Sequence, residues 1–147
     1  MKRIAFVWLF SLLPALAVGG VDVALSKNLA LGGYSGLLGF YLEGQPLAAR
    51  GRLLFGERGG LMGGLDLLYR PLGRKLIEPY AGAGATTMIA RLPSEGGLVM
   101  DVGSESYAVV TLGLALNLGQ ARPYLEFSYN YGREPYSRAG LGMVWRW

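Results

Sequence analysis

The sequence predicts an all-β chain: a cleavable signal peptide, then an eight-stranded antiparallel up-and-down transmembrane β-barrel. Three observations lead there. Apolar residues recur at every second position in eight successive segments. The composition is 52% hydrophobic and only 16% charged, yet after residue 17 no apolar run approaches the roughly 20 residues that a helix needs to cross a bilayer. The clearest alternation is the last strand, which ends on Trp147.

The first residues read as an export signal. Met1-Lys2-Arg3 is a short basic start, Ile4 to Ala15 is apolar apart from Ser11 and Pro14, and Ala15-Leu16-Ala17 offers small residues at a cleavage site. Residues 1–17 are therefore expected to be removed, leaving residues 18–147 as the barrel.

The strands follow in order. Val21, Val23 and Leu25 oppose Asp22 and Ser26. Tyr34, Leu38, Phe40 and Leu42 oppose Ser35, Gly39, Tyr41 and Glu43. Leu47, Ala49, Leu53 and Phe55 oppose Arg50 and Arg52. Leu61, Leu65, Leu67 and Tyr69 oppose Gly64, Asp66 and Arg70. Ile77, Pro79, Ala81, Ala83, Ala85 and Ile89 oppose Glu78, Tyr80, Gly82, Gly84 and Thr86. The even residues Ala108 to Leu118 oppose Val109, Thr111, Gly113, Ala115 and Asn117. Leu125, Phe127, Tyr129 and Tyr131 oppose Tyr124, Glu126, Ser128 and Asn130. Last, Ala139, Leu141, Met143, Trp145 and Trp147 oppose Arg138, Gly140, Gly142, Val144 and Arg146. Pro79 and Pro123 sit awkwardly, because proline cannot donate to a sheet ladder.

The connections set the orientation. Gly44-Gln45-Pro46, Gly73-Arg74-Lys75 and Gly119-Gln120-Ala121 are short turn signals, whereas 91–104 is long and polar. Outer-membrane barrels combine short periplasmic turns with longer outer loops. With both termini periplasmic, connections two, four and six are the inner ones and the long fifth lies outside.

The apolar face is expected to meet lipid. The opposite face carries Asp22, Glu43, Asp66, Glu78 and Glu126 against Arg50, Arg52, Arg70, Arg138 and Arg146, a balance that suits a closed interior where charges must pair. Aromatics on the apolar face collect at strand ends: Phe40, Tyr69, Trp145 and Trp147 at one rim, Tyr34, Phe55, Tyr129 and Tyr131 at the other. The middle of that face holds no charge, which would cost roughly 2–4 kcal/mol at the midplane. Gly82, Gly84, Gly113, Gly140 and Gly142 would make room for the arginines and for Tyr80 and Tyr124. The expected interior is a packed polar plug that conducts poorly. With the apolar face inward instead, the same alternation would describe a soluble lipocalin-like carrier.

The signal, the eight segments and the aromatic C-terminus resemble the small outer-membrane barrels related to the OmpA transmembrane domain and OmpX. The resemblance covers nearly all of 21–147. It implies the bacterial outer membrane, contact with its lipid, a monomer, and delivery by the barrel-assembly machinery, which reads a terminal aromatic preceded by alternating apolar residues. Trp147, Trp145, Met143, Leu141 and Ala139 fit that pattern. The full OmpA architecture adds a peptidoglycan-binding domain with no counterpart here, so no cell-wall tether is expected.

Chemistry is scarce in the sequence. There is no Cys and no His. Barrel enzymes of this size, the lipid A acyltransferases and deacylases among them, depend on a histidine. A serine here would lack its usual base, and neither thiolate nor imidazole could hold a metal. No catalytic residue, cofactor or metal site is expected. The net charge of +4 includes Lys2 and Arg3, and the remaining basic residues are dispersed, so no nucleic acid is expected as partner. In the long loop, Glu95 and Asp101 could offer oxygen ligands to a cation but lack a recognised spacing, and Leu98, Val99 and Met100 form an apolar tip that could contact a surface ligand. The expected role is a non-enzymatic, structural or loop-presenting envelope protein. An adhesin or receptor acting through 91–104, and a narrow porin-like channel for small solutes, are the alternatives.

Overall fold

The computed structural model describes residues 18–92 and 96–147. The predicted signal at 1–17 and Glu95 lie outside the described residues. The described residues form nine strands: β1 Val18–Asn28, β2 Tyr34–Glu43, β3 Leu47–Glu57, β4 Gly60–Tyr69, β5 Ile77–Arg91, β6 Val99–Met100, β7 Ser106–Leu116, β8 Ala121–Tyr131 and β9 Tyr136–Arg146. Eight of them make the barrel, each antiparallel to its neighbours, and the pairing of β1 with β9 closes the ring. The two-residue β6 adds to the outer end of β5. Closure leaves the eight long strands without a free edge, which the apolar interior of a bilayer requires.

The two faces of the wall match the predicted phase. Val23, Leu25, Leu38, Leu65, Leu67, Leu112 and Leu141 point outward and are exposed, Leu65 by 74%. Asp22, Glu43, Arg50, Arg52, Asp66, Arg70, Glu78, Glu126, Arg138 and Arg146 point inward, none more than 9% exposed. Apolar outside and charged inside is the inverse of a water-soluble domain. The interior is less uniformly polar than the sequence suggests, because Leu37, Leu54, Met62, Leu68 and Met88 also face inward.

Local chemistry explains the connections. Asn28 Oδ1 accepts hydrogen bonds from the amides of Ala30 and Leu31, both at 3.0 Å, which shapes the β1–β2 turn. Arg58 and Gly59 both have positive φ, the requirement of a tight two-residue hairpin between β3 and β4. This outer connection is shorter than the inner stretch Arg70–Leu76, so length separates the two ends less cleanly than expected. Trp147 N–H donates to Gly19 O at 3.2 Å, so both ends of the barrel sequence lie at the rim with the β2–β3, β4–β5 and β7–β8 connections.

The prolines fit for one shared reason. Pro79 pairs with Leu114 of β7, but the β4–β5 ladder has already ended at Ala81. Pro123 pairs with Met143 of β9, while the β7–β8 ladder ends at Tyr124. Each lies beyond the ladder on one of its sides, where a missing donor does least harm.

Candidate functional site

Among the described residues, the buried charged side chains gather in the lumen, which is built in layers. At the inner end, Glu43 lies 2.6 Å from Arg70 Nη2 and 2.7 Å from both Arg146 Nη2 and Arg74 Nη2. Glu78 lies 2.5 Å from Arg70 and 2.9 Å from Arg122, and Asn117 Nδ2 donates to it at 2.7 Å. Above this comes an aromatic layer. The Arg122 guanidinium sits 5.0 Å from the ring centres of Tyr41 and Tyr80 and 6.0 Å from that of Tyr124. The electron-rich ring faces stabilise its charge where water is excluded.

The tyrosines reach the lumen axis because glycines lie opposite them. Tyr80 pairs with Gly113 across β5–β7, and Tyr124 with Gly142 across β8–β9. A Cβ at Gly113 would overlap the Tyr80 ring, and one at Gly142 the Tyr124 ring. Each ring therefore lies flat over the neighbouring strand in the space that a side chain would fill.

The central layer is ionic. Arg50 donates to Asp66 at 2.9 Å and to Glu126 at 2.7 Å. Arg52 Nη1 donates to Glu126 at 3.1 Å, and Arg52 Nη2 lies 2.6 Å from Asp66. The Tyr80 hydroxyl donates to Glu126 at 2.8 Å and that of Tyr124 to Asp22 at 2.6 Å. Nearer the outer mouth, Leu37, Leu54, Met62, Met88, Tyr107 and Tyr136 form an apolar cluster. Beside it, Ser35 Oγ donates to Glu57 at 2.5 Å, and the other Glu57 oxygen lies 3.5 Å from Arg138 Nη1.

Two buried charges were missed in the sequence. Arg122 shares parity with Tyr124 and Glu126 and is fully buried, yet it stands at a strand start beside Pro123. Glu57 has the parity of the lipid face. A bulge between Phe55 and Glu57, with Gly56 at φ 86°, reverses the alternation and turns Glu57 inward. The two have opposite signs. Among the described residues, six buried acidic side chains now face six buried arginines, and the charge balance survives. Arg146 binds Glu43, and Arg138 lies against Glu57.

The predicted rim aromatics are all exposed on the outer wall. Phe40, Tyr69, Trp145 and Trp147 lie toward the end that carries the chain termini, and Tyr34, Phe55, Tyr129 and Tyr131 toward the opposite end. At the outer mouth, Arg58 binds Glu134 and reaches Glu105 at 3.5 Å. Arg91 contacts Asp101 at 2.5 Å and Glu105 at 3.3 Å. Hydrogen bonding to Ser104, then to Arg91, holds the Asp101 carboxyl below the usual aspartate range. Arginine thus engages the loop carboxylates Asp101 and Glu105 that a cation would need. Leu98, Val99 and Met100 are exposed, with Val102 beside them.

Comparison with solved structures turns on this architecture. The N-terminal β-barrel domain of Pseudomonas aeruginosa OprF superposes with a TM-score of 0.66 at 16% identity, covering 88% of this chain and 97% of that one. The chain has the fold of a small outer-membrane β-barrel. Two designed transmembrane barrels agree: TMB2.3 with a TM-score of 0.59 at 15% identity, covering 88% and 93% of the two chains, and another at 0.60 and 13%, covering 88% and 95%. No family model matches the sequence, and no curated protein matches it.

Proposed function

We propose that this protein is a non-enzymatic barrel of the bacterial outer membrane that acts as a structural envelope element and presents its outer loops. One observation carries the reading: the wall exposes leucines where the lumen buries twelve paired charges. Such a wall is stable only against hydrocarbon. The lumen supports a non-catalytic role. Its carboxylates lie against arginines or tyrosine hydroxyls, and a carboxylate so held is a poor general base for the neighbouring hydroxyls Ser35 and Ser128. Filled by Arg122, its tyrosines and the central ion pairs, the lumen also argues against a porin-like channel. The C-terminal strand ending at Trp147 would engage the assembly machinery, and the barrel would act as a monomer in lipid.

The decisive experiment is electrophoresis in SDS, with and without boiling, on protein from separated envelope fractions. A heat-dependent mobility shift in the outer-membrane fraction is the expected result. Unshifted protein in the periplasm would overturn the reading and restore a lipocalin-like carrier. Planar-bilayer recordings should show no conductance steps.

A second reading, a surface receptor or adhesin, rests on the exposed apolar tip Leu98–Met100 with Val102. Deleting residues 98–103 should then abolish surface binding while leaving the heat-dependent shift intact.

A further inference from the structure

Between the central ionic layer and the outer apolar cluster lies a small space of about 10 Å³, bordered by Ser26, Arg52, Glu126, Ser128, Arg138 and Gly140 on its polar side and by Ala24, Leu37 and Tyr124. That is close to the smallest volume able to hold one water, which also needs two to four polar partners. The border supplies them. Arg138 is 3% exposed, and neither of its terminal nitrogens makes a hydrogen bond with the described residues. Arg52, 4% exposed, spends Nη2 on Asp66 and Nη1 on Glu126 but leaves Nε without a partner among the described residues. Guanidinium nitrogens can only donate. Two buried guanidiniums thus border one small space, Arg138 with Nη2 and Arg52 with Nε unpartnered, and a buried unsatisfied charged donor is costly.

We propose that this space is a binding site for a single buried water. It accepts from Arg138 and Arg52 and donates to Ser128 Oγ or to the Glu126 carboxylate. The chemistry favours water over a halide. A halide could accept from both arginines but would face the Glu126 carboxylate with nothing to donate. The bound water joins two networks that direct contacts leave separate. On one side stand Arg50, Arg52, Asp66 and Glu126. On the other, Arg138 leads to Glu57 and Ser35, which border the cavity at the outer mouth. The inference concerns the lumen itself and holds whether the barrel serves as a structural element or as a receptor.

NMR of the whole barrel in lipid nanodiscs tests it. Wild-type protein should show magnetisation transfer from a long-lived water to the Gly140 amide and to the Arg138 guanidinium protons. Gly140→Ala places a methyl on the border of the space, 3.2 Å from Ser26 Cβ and 3.3 Å from the Leu25 carbonyl oxygen. It should remove those cross-peaks while the heat-dependent mobility shift persists. Should Gly140→Ala not fold, the wild-type spectrum still decides. A folded wild-type barrel without the cross-peaks would overturn the proposal, as would their persistence in Gly140→Ala. So would anomalous density from bromide in this space in crystals grown with that salt, because it would make the occupant an anion.

Discussion

Replacing Arg122 by methionine removes a charge that sequence patterning passed over and that the layered lumen makes central. Methionine keeps most of the volume, so the change tests charge more than packing. Arg122 is fully buried, 2.9 Å from Glu78 and stacked against three tyrosines. Removing one partner of a buried ion pair typically costs about 3–5 kcal/mol. Here Glu78 keeps Arg70 at 2.5 Å and Asn117 at 2.7 Å, which places the ionic loss near the lower bound. Lost cation–π contact adds up to about 2 kcal/mol in a desolvated site. The expected destabilisation is therefore about 3–5 kcal/mol. Urea unfolding of the barrel refolded in lipid vesicles, read from the tryptophan emission of Trp145 and Trp147, would measure it. Glu78→Gln should cost less in the Arg122→Met background than alone, because the two groups share one interaction. Arg74→Ala is the control: Arg74 binds Glu43 but its side chain is 55% exposed, so about 0–1 kcal/mol is expected. If Arg122→Met cost no more than Arg74→Ala, paired charge would not be what holds the lumen together.

Other consequences follow from the same geometry. Gly113→Ala should destabilise by about 1–3 kcal/mol through overlap with Tyr80, and adding Tyr80→Ala should remove most of that increment; additive losses in the unfolding midpoint would refute the cross-strand stacking. Leu65→Arg puts a charge in the middle of the exposed wall and should cost roughly 2–4 kcal/mol in vesicles, whereas a water-soluble barrel would tolerate it. Asp101 sets a pH dependence. Its folded-state carboxyl titrates below the ordinary value of about 3.9, so its contribution to holding the outer loop is present above that value and is lost as pH falls through the lower, folded one. Protection of residues 96–105 from proteolysis by an acid-active protease should therefore hold from neutral pH to about 5 and fall below about 4. The step should vanish in Asp101→Asn, and its persistence there would assign it to another group.

Much of this fold was legible because a strand's side-chain period is local. Alternate residues take opposite faces whatever the rest of the chain does, so Leu65 and Asp66, or Trp145 and Arg146, were assigned to wall and lumen without a partner in view. The same logic fails where backbone geometry breaks the period. At Gly56 one bulge moved Glu57 from the expected outer face into the lumen. Arg122 was missed for a different reason: its parity was right, but it stood where a turn and a proline obscured the start of the strand.

By itself, then, the sequence determined the strands, their two faces, and the need for a closed ring with apolar wall and charged interior. Only the tertiary structure decided which charges meet. Arg50 and Glu126 are 76 positions apart, and Arg146 and Glu43 are 103 apart. They come together because ring closure and strand register stack distant residues in one layer. Register is a property of all eight barrel strands at once, and no local pattern contains it.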